Sequence, residues 1–368
     1  MRRIVATLCV GILGLASGAV SAVTLLDDTR ILFDRGSLGS REIYVTNIDG
    51  TNETNLTNNA VDDFSPSWSP DGSQIVFFSN RDGGDDLFIM DADGLNPINV
   101  TGPVTVAADA DPSWSPDGTR IAFVAAFDVW VINVDGTGLV NLTTLTDNGA
   151  GDGLGTNSAW SPDSARIVFG SQRDGDWEIY TMNADGSDVV QLTDNDVDDF
   201  MPAWSPDGLR IVWSSVAGTA TELWVMDVND PDGLTQRTTT GKGNYAPDWS
   251  PDGTRICVSS NRDGDWDIFT MNADGTAPQN IASAAGNDSG PAWSPFLVPM
   301  VTVTAPIAGQ EFPPGTTAAD LTTAALRHAA PGHWHWQLDA PFPDSGAAGG
   351  NHVDSGVLTD TITGLGRV

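Results

Sequence analysis

A single motif, Trp-Ser-Pro, recurs along this chain at a nearly constant interval. The spacings between successive copies are 46, 46, 44, 45 and 44 residues. Its tryptophans are Trp68, Trp114, Trp160, Trp204, Trp249 and Trp293. A period of about 40–45 residues, with several short strands in each unit, is typical of a β-propeller blade. The repeat therefore predicts an all-β ring in which each tryptophan is a structural residue of its unit.

Residues 66–101 show how one unit is built. A short inner strand, Pro-Ser-Trp-Ser, leads into a Pro-Asp-Gly turn and then into the apolar strand QIVFFS. A polar turn follows, then the strand DLFIMD, an Asp-Gly turn and a short outer strand. Pro, Asp and Gly at these positions favour tight turns, so the unit predicts four antiparallel strands.

The number of half-units indicates how the ring closes. The segment that contains strands two to four occurs six times, and its first copy, at Arg30, has no Trp-Ser-Pro before it. The last Trp-Ser-Pro, at Trp293, has no half-unit after it, and Phe296 stands where the other copies have Asp. We expect one composite blade, with its inner strand from residues near 293 and its other strands from residues 29–57. The prediction is a six-bladed propeller closed by its N- and C-terminal strands.

The composition agrees with this fold and excludes several partners. Of 49 acidic residues 44 are Asp, there is a single lysine, and the net charge is −33. The scarcity of Glu, Lys and Gln argues against a helical protein, while 40% hydrophobic residues suffice for a core. Nucleic acids and anionic membranes need clustered Lys and Arg, so both are excluded as partners. We expect most of the negative charge to come from Asp residues in tight turns that recur in each of the six units.

The first 22 residues are typical of a signal peptide. Arg2 and Arg3 precede a short apolar stretch, and Val20-Ser-Ala22 resembles a cleavage site. We expect cleavage after Ala22 and a periplasmic or secreted protein. No later apolar run is long enough for membrane insertion. The mature chain would keep one cysteine, Cys257, which is expected to be a buried small hydrophobe.

The unit P-x-W-S-P-D-G-x-x-I-x-F…I-x-x-M-x-A-D-G…L-T resembles the repeat of TolB-type β-propellers, periplasmic relatives of WD-repeat proteins. The resemblance covers residues 26–296. It implies the propeller fold for residues 23–297 and a binding function of the kind that such propellers have. TolB itself carries an α/β domain before its propeller and lacks the extension that this chain has after residue 297, so the resemblance does not extend to a Tol–Pal role.

Residues 298–368 differ in character from the repeats. All four histidines lie in this segment, at 328, 333, 335 and 352. The segment resembles part of a bacterial immunoglobulin-like module, and we expect an incomplete β-sandwich from a chain that is truncated at Val368. Alternation places His333 and His335 on one strand face, which suits zinc, with His352 as a candidate third ligand. An ordinary packed strand is the alternative.

The first candidate site is the residue that enters the inner strand of each unit. The copies are Asp63, Asp109, Asp199, Asn244 and Asp288, with Gly155 in the unit that departs from the pattern. Copies at one position of a propeller should ring one mouth of its channel, where four carboxylates would create a negative potential. Asp63, Asp109, Asp199 and Asp288 are therefore candidate ligands for a metal ion, with Ca²⁺ as the candidate cation. The alternative is that each Asp caps the loop before its strand.

Two turn motifs are further candidates. Asx-x-Asp-Gly turns, such as Asn47 to Asp49 and Asn183 to Asp185, offer oxygens that suit Ca²⁺, but hairpin geometry explains the same residues. Arg-Asp-Gly occurs at 81–83, 173–175 and 262–264, and its arginines are expected to be structural, pairing with neighbouring Asp.

These features favour a non-catalytic binding or scaffold protein of the periplasm or cell exterior. We expect a monomer that presents loops and an acidic channel mouth to a protein, peptide or glycan, with no required cofactor. The propeller contains no histidine, so a Ser-His-Asp site cannot form within it. Two alternatives are a carboxylate-dependent hydrolase or lyase acting on polysaccharide or peptide, and a structural module of a larger surface protein.

Overall fold

The structure, a computed structural model, describes residues 29–102, 108–126, 128–143, 157–295, 325–328 and 334–337. The chain divides into two units, Asp28–Leu297 and a second that combines Met1–Asp27 with Val298–Val368. The expected signal peptide lies outside the described residues, as does most of the predicted sandwich segment, which stays a prediction.

The first unit is a propeller of six blades, each a four-stranded antiparallel sheet, as the repeat predicts. The strands are numbered β1–β24 in chain order, and each blade runs from an inner strand to an outer strand. Blade 1 contains β24 (Asp288–Trp293), β1 (Arg30–Arg35), β2 (Glu42–Asn47) and β3 (Thr54–Asn55). Blade 2 contains β4 (Asp63–Trp68), β5 (Gln74–Ser79), β6 (Asp86–Asp91) and β7 (Ile98–Asn99). Blade 3 contains β8 (Ala108–Trp114), β9 (Arg120–Ala125), β10 (Asp128–Asn133) and β11 (Val140–Asn141). Blade 4 contains β12 (Ala159–Trp160), β13 (Arg166–Ser171), β14 (Glu178–Asn183) and β15 (Val190–Gln191). Blade 5 contains β16 (Asp199–Trp204), β17 (Arg210–Ala217), β18 (Ala220–Asp227) and β19 (Asp230–Gln236). Blade 6 contains β20 (Asn244–Trp249), β21 (Arg255–Ser260), β22 (Asp267–Asn272) and β23 (Gln279–Ala282).

In the second unit the described residues form two short antiparallel strands, β25 (Ala325–His328) and β26 (Trp334–Gln337). His335 lies opposite Arg327 in this pair. His333 and His352 lie outside the described residues, so the zinc hypothesis stays a prediction. Among the described residues of both units, no helix is long and apolar enough to cross a membrane.

Blade 1 is composite, because β24 and β1 come from opposite ends of the propeller sequence. Their junction, called the seam, has the same hydrogen bonds as the inner hairpin of the other blades. In blade 2, Ser69 N donates to Gln74 O at 2.9 Å and Gln74 N donates to Ser69 Oγ at 2.9 Å. In blade 1, Ser294 N donates to Arg30 O and Arg30 N donates to Ser294 Oγ, both at 2.8 Å. The same two hydrogen bonds therefore join strands that no turn connects. The predicted closure by N- and C-terminal strands is confirmed.

The Pro-Asp-Gly turns explain much of the aspartate in the sequence. In blade 2, Ser69 Oγ donates to Asp71 Oδ1 at 2.7 Å, and the same oxygen accepts Ser73 N at 3.0 Å. Gly72 has φ of +69°, a conformation that glycine adopts without strain. The hydroxyl and amide donors hold the pKa of Asp71 below its ordinary value, against the opposing effect of burial. The carboxylate thus fixes a hairpin and remains ionised.

In the described part of the propeller the core consists of six apolar clusters, one at each blade–blade interface. At the interface of blades 1 and 2, Leu32 and Val45 pack against Trp68 and Phe77, all of them buried. Trp160 Nε1 reaches back to the carbonyl of Ser113 in blade 3 at 3.2 Å. The repeat tryptophan therefore joins consecutive blades. Cys257 is free and fully buried in the cluster between blades 6 and 1, as expected.

Candidate functional site: the central channel

All six inner strands contribute to a central channel with a cavity of about 110 Å³. The lining is mostly small and polar, with proline in five of the six blades. Its residues include Ser65 to Ser67, Asp111 to Ser113, Asn157 to Ala159, Pro202 and Ala203, Pro247 and Asp248, and Gly290 to Ala292. The predicted channel is present. In five blades the lining residues stand two to five positions after the start of the inner strand, and in blade 4 they are Asn157 to Ala159, at the start of its shorter strand β12.

A repeated bulge in the inner strands gives the channel its lining. The register between β4 and β5 shifts after Phe64, where Ser65 has φ of +50°. Asp111 in blade 3 has φ of +42°, and Met201 in blade 5 has φ of +55°. A left-handed conformation costs non-glycine residues free energy, so its recurrence before the repeat proline indicates a structural requirement of the fold.

Four of the residues that we expected at the channel mouth are buried in ion-pair or hydrogen-bond networks, namely Asp63, Asp199, Asn244 and Asp288. Asp63 is 0% exposed, and its Oδ1 accepts a hydrogen bond from Arg81 Nη2 at 2.8 Å. Arg81 stacks over Phe77 and Phe88, with 5.1 and 4.8 Å to the ring centroids. Asn59 donates to the second oxygen of Asp63. The carboxylate of Asp63 is therefore neutralised by Arg81 of its own blade.

Asp288 and Asn244 also accept hydrogen bonds from buried or half-buried arginine side chains. Arg35 Nε donates to Asp288 Oδ1 at 2.6 Å, and its Nη1 donates to Glu53 Oε1 at 2.6 Å. Burial raises the pKa of Asp288 to about 6, although Arg35 opposes the shift. Asn244 Oδ1 accepts a hydrogen bond from Arg262 Nη2 at 2.8 Å. Arg81 and Arg262 belong to the Arg-Asp-Gly motif, so these two sequence candidates belong to one network.

Among the described residues Asp199 has no arginine partner, since Ala217 stands where blades 2 and 6 have Arg81 and Arg262. It is 1% exposed, and Asn195 Nδ2 donates to its Oδ2 at 2.9 Å. The same asparagine donates its backbone N–H to Glu178 Oε1 at 2.7 Å, which joins two buried carboxylates of blades 4 and 5. Burial raises the pKa of Glu178 to about 7 and also raises the pKa of Asp199.

The two remaining members of the set are less fully described. Asp109 lies on β8, with its side chain outside the description, and Gly155 lies outside the described residues. Within the described side chains, no three His, Cys, Asp or Glu residues lie close enough together to hold one metal ion. The structure thus shows Asp63, Asp199, Asn244 and Asp288 each bonded to its own set of neighbouring side chains, and a metal at these positions stays a prediction.

The acids at the channel are different residues. Asp111 and Asp248 line it, and Asp34 lies directly behind it, where its Oδ1 accepts Ser65 N at 3.2 Å. Asp248 Oδ2 accepts Trp293 N of the next blade at 2.7 Å. Burial raises the pKa of Asp34 and of Asp248 to about 6 and also raises that of Asp111. Within the described part of the chain, none of the three forms a salt bridge.

A signal for two of these acids was present in the aligned repeats. Asp248 occupies the position of Ser67, Ser113 and Ala159, so it is the single acid among small residues. Asp34 occupies the position of Phe78. A polar residue at a position that is otherwise small or apolar indicates a local function or a local hydrogen bond, and comparison of the copies would have found both.

Comparison with known proteins decides the family. The family model described as the TolB beta propeller domain matches residues 18–150, 86–245 and 200–301, which together span most of the chain. The chain belongs to the TolB β-propeller family. The curated Tol-Pal system protein TolB of Desulfosudis oleivorans is 42% identical over 62 residues, 17% of this chain and 14% of that protein. A TolB homolog of Chlorobium luteolum is 42% identical over 53 residues, 14% of this chain and 12% of that protein. The chain thus aligns with less than a sixth of the length of these relatives.

Solved structures confirm the fold of this TolB-family propeller. TolB of Acinetobacter baumannii superposes with a TM-score of 0.64 at 20% identity, over 73% of this chain and 67% of that chain. A TolB from Agrobacterium tumefaciens gives a TM-score of 0.56 at 20% identity, over 69% of this chain and 89% of that chain. At this level of identity the similarity establishes the fold alone.

In five of the six blades the Asp-Gly turn of the TolB-family repeat contacts the preceding blade. Asp49 Oδ1 accepts hydrogen bonds from Thr51 N at 3.0 Å and Thr51 Oγ1 at 2.6 Å. Gly50 has φ of +80°, and a Cβ there would lie 2.8 Å from the carbonyl oxygen of Ile281 in blade 6. Equivalent glycines in blades 2, 3, 4 and 6 approach the preceding blade in the same way. Blade contact therefore explains these turns, and calcium binding by them stays a prediction.

Proposed function

We propose that this TolB-family chain is a non-catalytic binding and scaffold protein of the periplasm or cell exterior, whose channel mouth receives a protein, peptide or glycan partner. The observation that carries the proposal is the contrast between two sets of acids. Asp63 and Asp288 are neutralised by arginine, whereas Asp111 and Asp248 line the channel, and Asp34 lies behind it, without a salt bridge among the described residues.

The two sets would have different tasks. Asp63, Asp109, Asp199, Asn244 and Asp288 would hold the start of each inner strand in place. Asp111 and Asp248 would provide the negative potential that attracts a positively charged group of the partner or a bound cation, with Ca²⁺ as the first candidate. A low-dielectric wall strengthens such an attraction relative to the same charges at an open surface.

The test is affinity capture from envelope and culture fractions with the full chain, in calcium and in chelator. The double variant D111N/D248N should lose the captured partner. D93N/D185N is the matched control, because it removes the same charge from two exposed turn residues. Capture of the same protein by both variants would overturn the channel proposal.

Export is tested separately by mass spectrometry of the mature protein. A periplasmic or secreted product that begins at Val23 supports the proposed location. A cytoplasmic product that retains residues 1–22 contradicts it. The non-catalytic part of the proposal would fail if the chain turned over a polysaccharide or peptide and D111N/D248N abolished that turnover.

A further inference from the structure

Near the start of their inner strands, blades 5 and 6 carry three contiguous, partly exposed aromatic rings. Phe200 and Tyr245 directly follow Asp199 and Asn244 on their inner strands, and Trp266 immediately precedes β22. The rings of Phe200 and Tyr245 are stacked at 5.8 Å, and those of Tyr245 and Trp266 meet edge to face at 5.2 Å.

The rings are held in place from two sides. Thr221 Oγ1 donates to the Tyr245 hydroxyl at 3.0 Å. A Cβ at Gly243 would lie 2.8 Å from the Tyr245 ring and would overlap that of Trp266, so the rings pack directly against bare backbone. This platform, defined as Phe200, Tyr245 and Trp266, is therefore positioned by one hydrogen bond and by packing against the Gly243 backbone.

A hollow of about 440 Å³ adjoins the platform between blades 6 and 1. Asp265, the residue before Trp266, lines it together with Ser37, Ser40 and Asn287. One backbone hydrogen bond joins the two sides of the hollow, from Gly36 N to Asn287 O at 3.0 Å. Asp265 is exposed, and no lysine or arginine of the described residues lies within salt-bridge distance of its carboxylate.

The nearby arginines are already engaged. Arg35 binds Asp288 and Glu53, and Arg262 binds Asn244. With a net charge of −33, the hollow lies in a strongly negative field. Aromatic faces attract guanidinium and ammonium groups, and a carboxylate next to them adds a charge-assisted hydrogen bond. A neutral glycan would also stack on the rings, but it would gain nothing from the field.

We propose that this platform and hollow bind an arginine- or lysine-rich segment of a partner protein. One basic side chain lies over Tyr245 and Trp266, and its charged group enters the hollow and reaches Asp265. The inference rests on the proposed function, because it names the chemistry of a partner that also faces the channel mouth.

Binding is measured with the full chain and a fluorescent tetra-arginine peptide, by anisotropy in about 150 mM salt, where surface attraction is screened beyond about 8 Å. We expect D265N to weaken binding by about fivefold and W266A to do the same, in keeping with about 1 kcal/mol for either contact. The matched controls are D176N and W177A, which change the equivalent Asp-Trp pair of the Arg-Asp-Gly-Asp-Trp turn in blade 4. They should change the affinity by less than about twofold.

Several results would overturn the proposal. Equal weakening by D265N and D176N would indicate diffuse attraction, and absence of binding or displacement of the peptide by maltohexaose would contradict a cationic ligand. D111N/D248N separates this inference from the proposed function, because it should abolish partner capture and leave the peptide affinity within about twofold. If capture depends on the channel acids while D265N binds the peptide normally, this inference fails and the proposed function stands.

Discussion

Arg35 holds Asp288 through two parallel hydrogen bonds, from Nε at 2.6 Å and from Nη2 at 2.8 Å, although 253 residues separate them in sequence. Both side chains are buried, with 9% and 0% exposure. The pair joins β1 to β24, so it lies at the seam where the ring closes. A planar guanidinium suits this bidentate geometry, which an ammonium group would not reproduce.

Replacement of Arg35 by methionine should lower the free energy of unfolding by about 3–5 kcal/mol, because Asp288 and Glu53 would lose their counter-ion. The loss should be smaller at pH 5 than at pH 8, since a protonated Asp288 needs no counter-ion. Urea denaturation at the two pH values measures both effects. D188N, at an exposed salt bridge with Arg166, should cost less than about 1 kcal/mol. A similar small loss for R35M would contradict the prediction.

Stability should fall as the pH rises through 7, in part because of Glu178. Burial raises the pKa of Glu178 from 4.5 to about 7. The folded state therefore favours the protonated form, and this contribution is complete below about pH 4.5 and is lost as the pH rises through about 7. E178Q should show a shallower fall in urea midpoint between pH 5 and pH 8 than the parent. D93N, at an exposed turn, should keep the parent slope, and a parent-like slope for E178Q would refute the assignment.

Gly50 and Gly83 should differ sharply in their tolerance of alanine. Both have positive φ, +80° and +99°, so both variants carry backbone strain of about 1–2 kcal/mol. At Gly50 the new Cβ would also lie 2.8 Å from the carbonyl oxygen of Ile281, whereas nothing lies within 4 Å at Gly83. G50A should therefore lose clearly more stability in denaturant titration than G83A. Equal losses would show that blade contact contributes nothing at this turn.

Trp160 should contribute strongly to the interface between blades 3 and 4. It is 5% exposed and shares one buried cluster with Val129 and Val131 of blade 3. W160A should lower the free energy of unfolding by about 3–5 kcal/mol, because the cavity it leaves cannot fully collapse. Leu38 is 87% exposed, so L38A should be close to neutral. The same denaturation measurement compares the two, and a neutral W160A would contradict a joining role for the repeat tryptophan.

The ring could be predicted from the sequence because its evidence is repeated. Six half-units and an unmatched Trp-Ser-Pro at Trp293 are enough to require a composite blade, and the pairing of Ile31 with Trp293 confirms it. Tight turns depend on a few consecutive residues, so the Pro-Asp-Gly and Asp-Gly turns can be predicted from short motifs.

The site could not be predicted to the same depth, because it depends on geometry that no single repeat contains. The bulge at Ser65 and its equivalents shifts the lining of the channel two residues along the strand. The partnership of Asp63 with Arg81 joins two motifs that are 18 residues apart. Both follow from how strands twist and pack in the folded sheet. Asp248 could have been singled out from the sequence, but only by aligning the six repeats and comparing them position by position.

The seam in blade 1 has a consequence for the order of folding. Blades 2–6 can each assemble from one continuous stretch of about 45 residues, but blade 1 needs strands that are separated by more than 250 residues. Closing so long a loop has a high entropic cost before any contact compensates it. An incomplete chain would therefore present an open arc with two unsatisfied sheet edges, and such edges recruit other chains. We expect the folding intermediate of this protein, rather than its native ring, to be the species most prone to domain exchange.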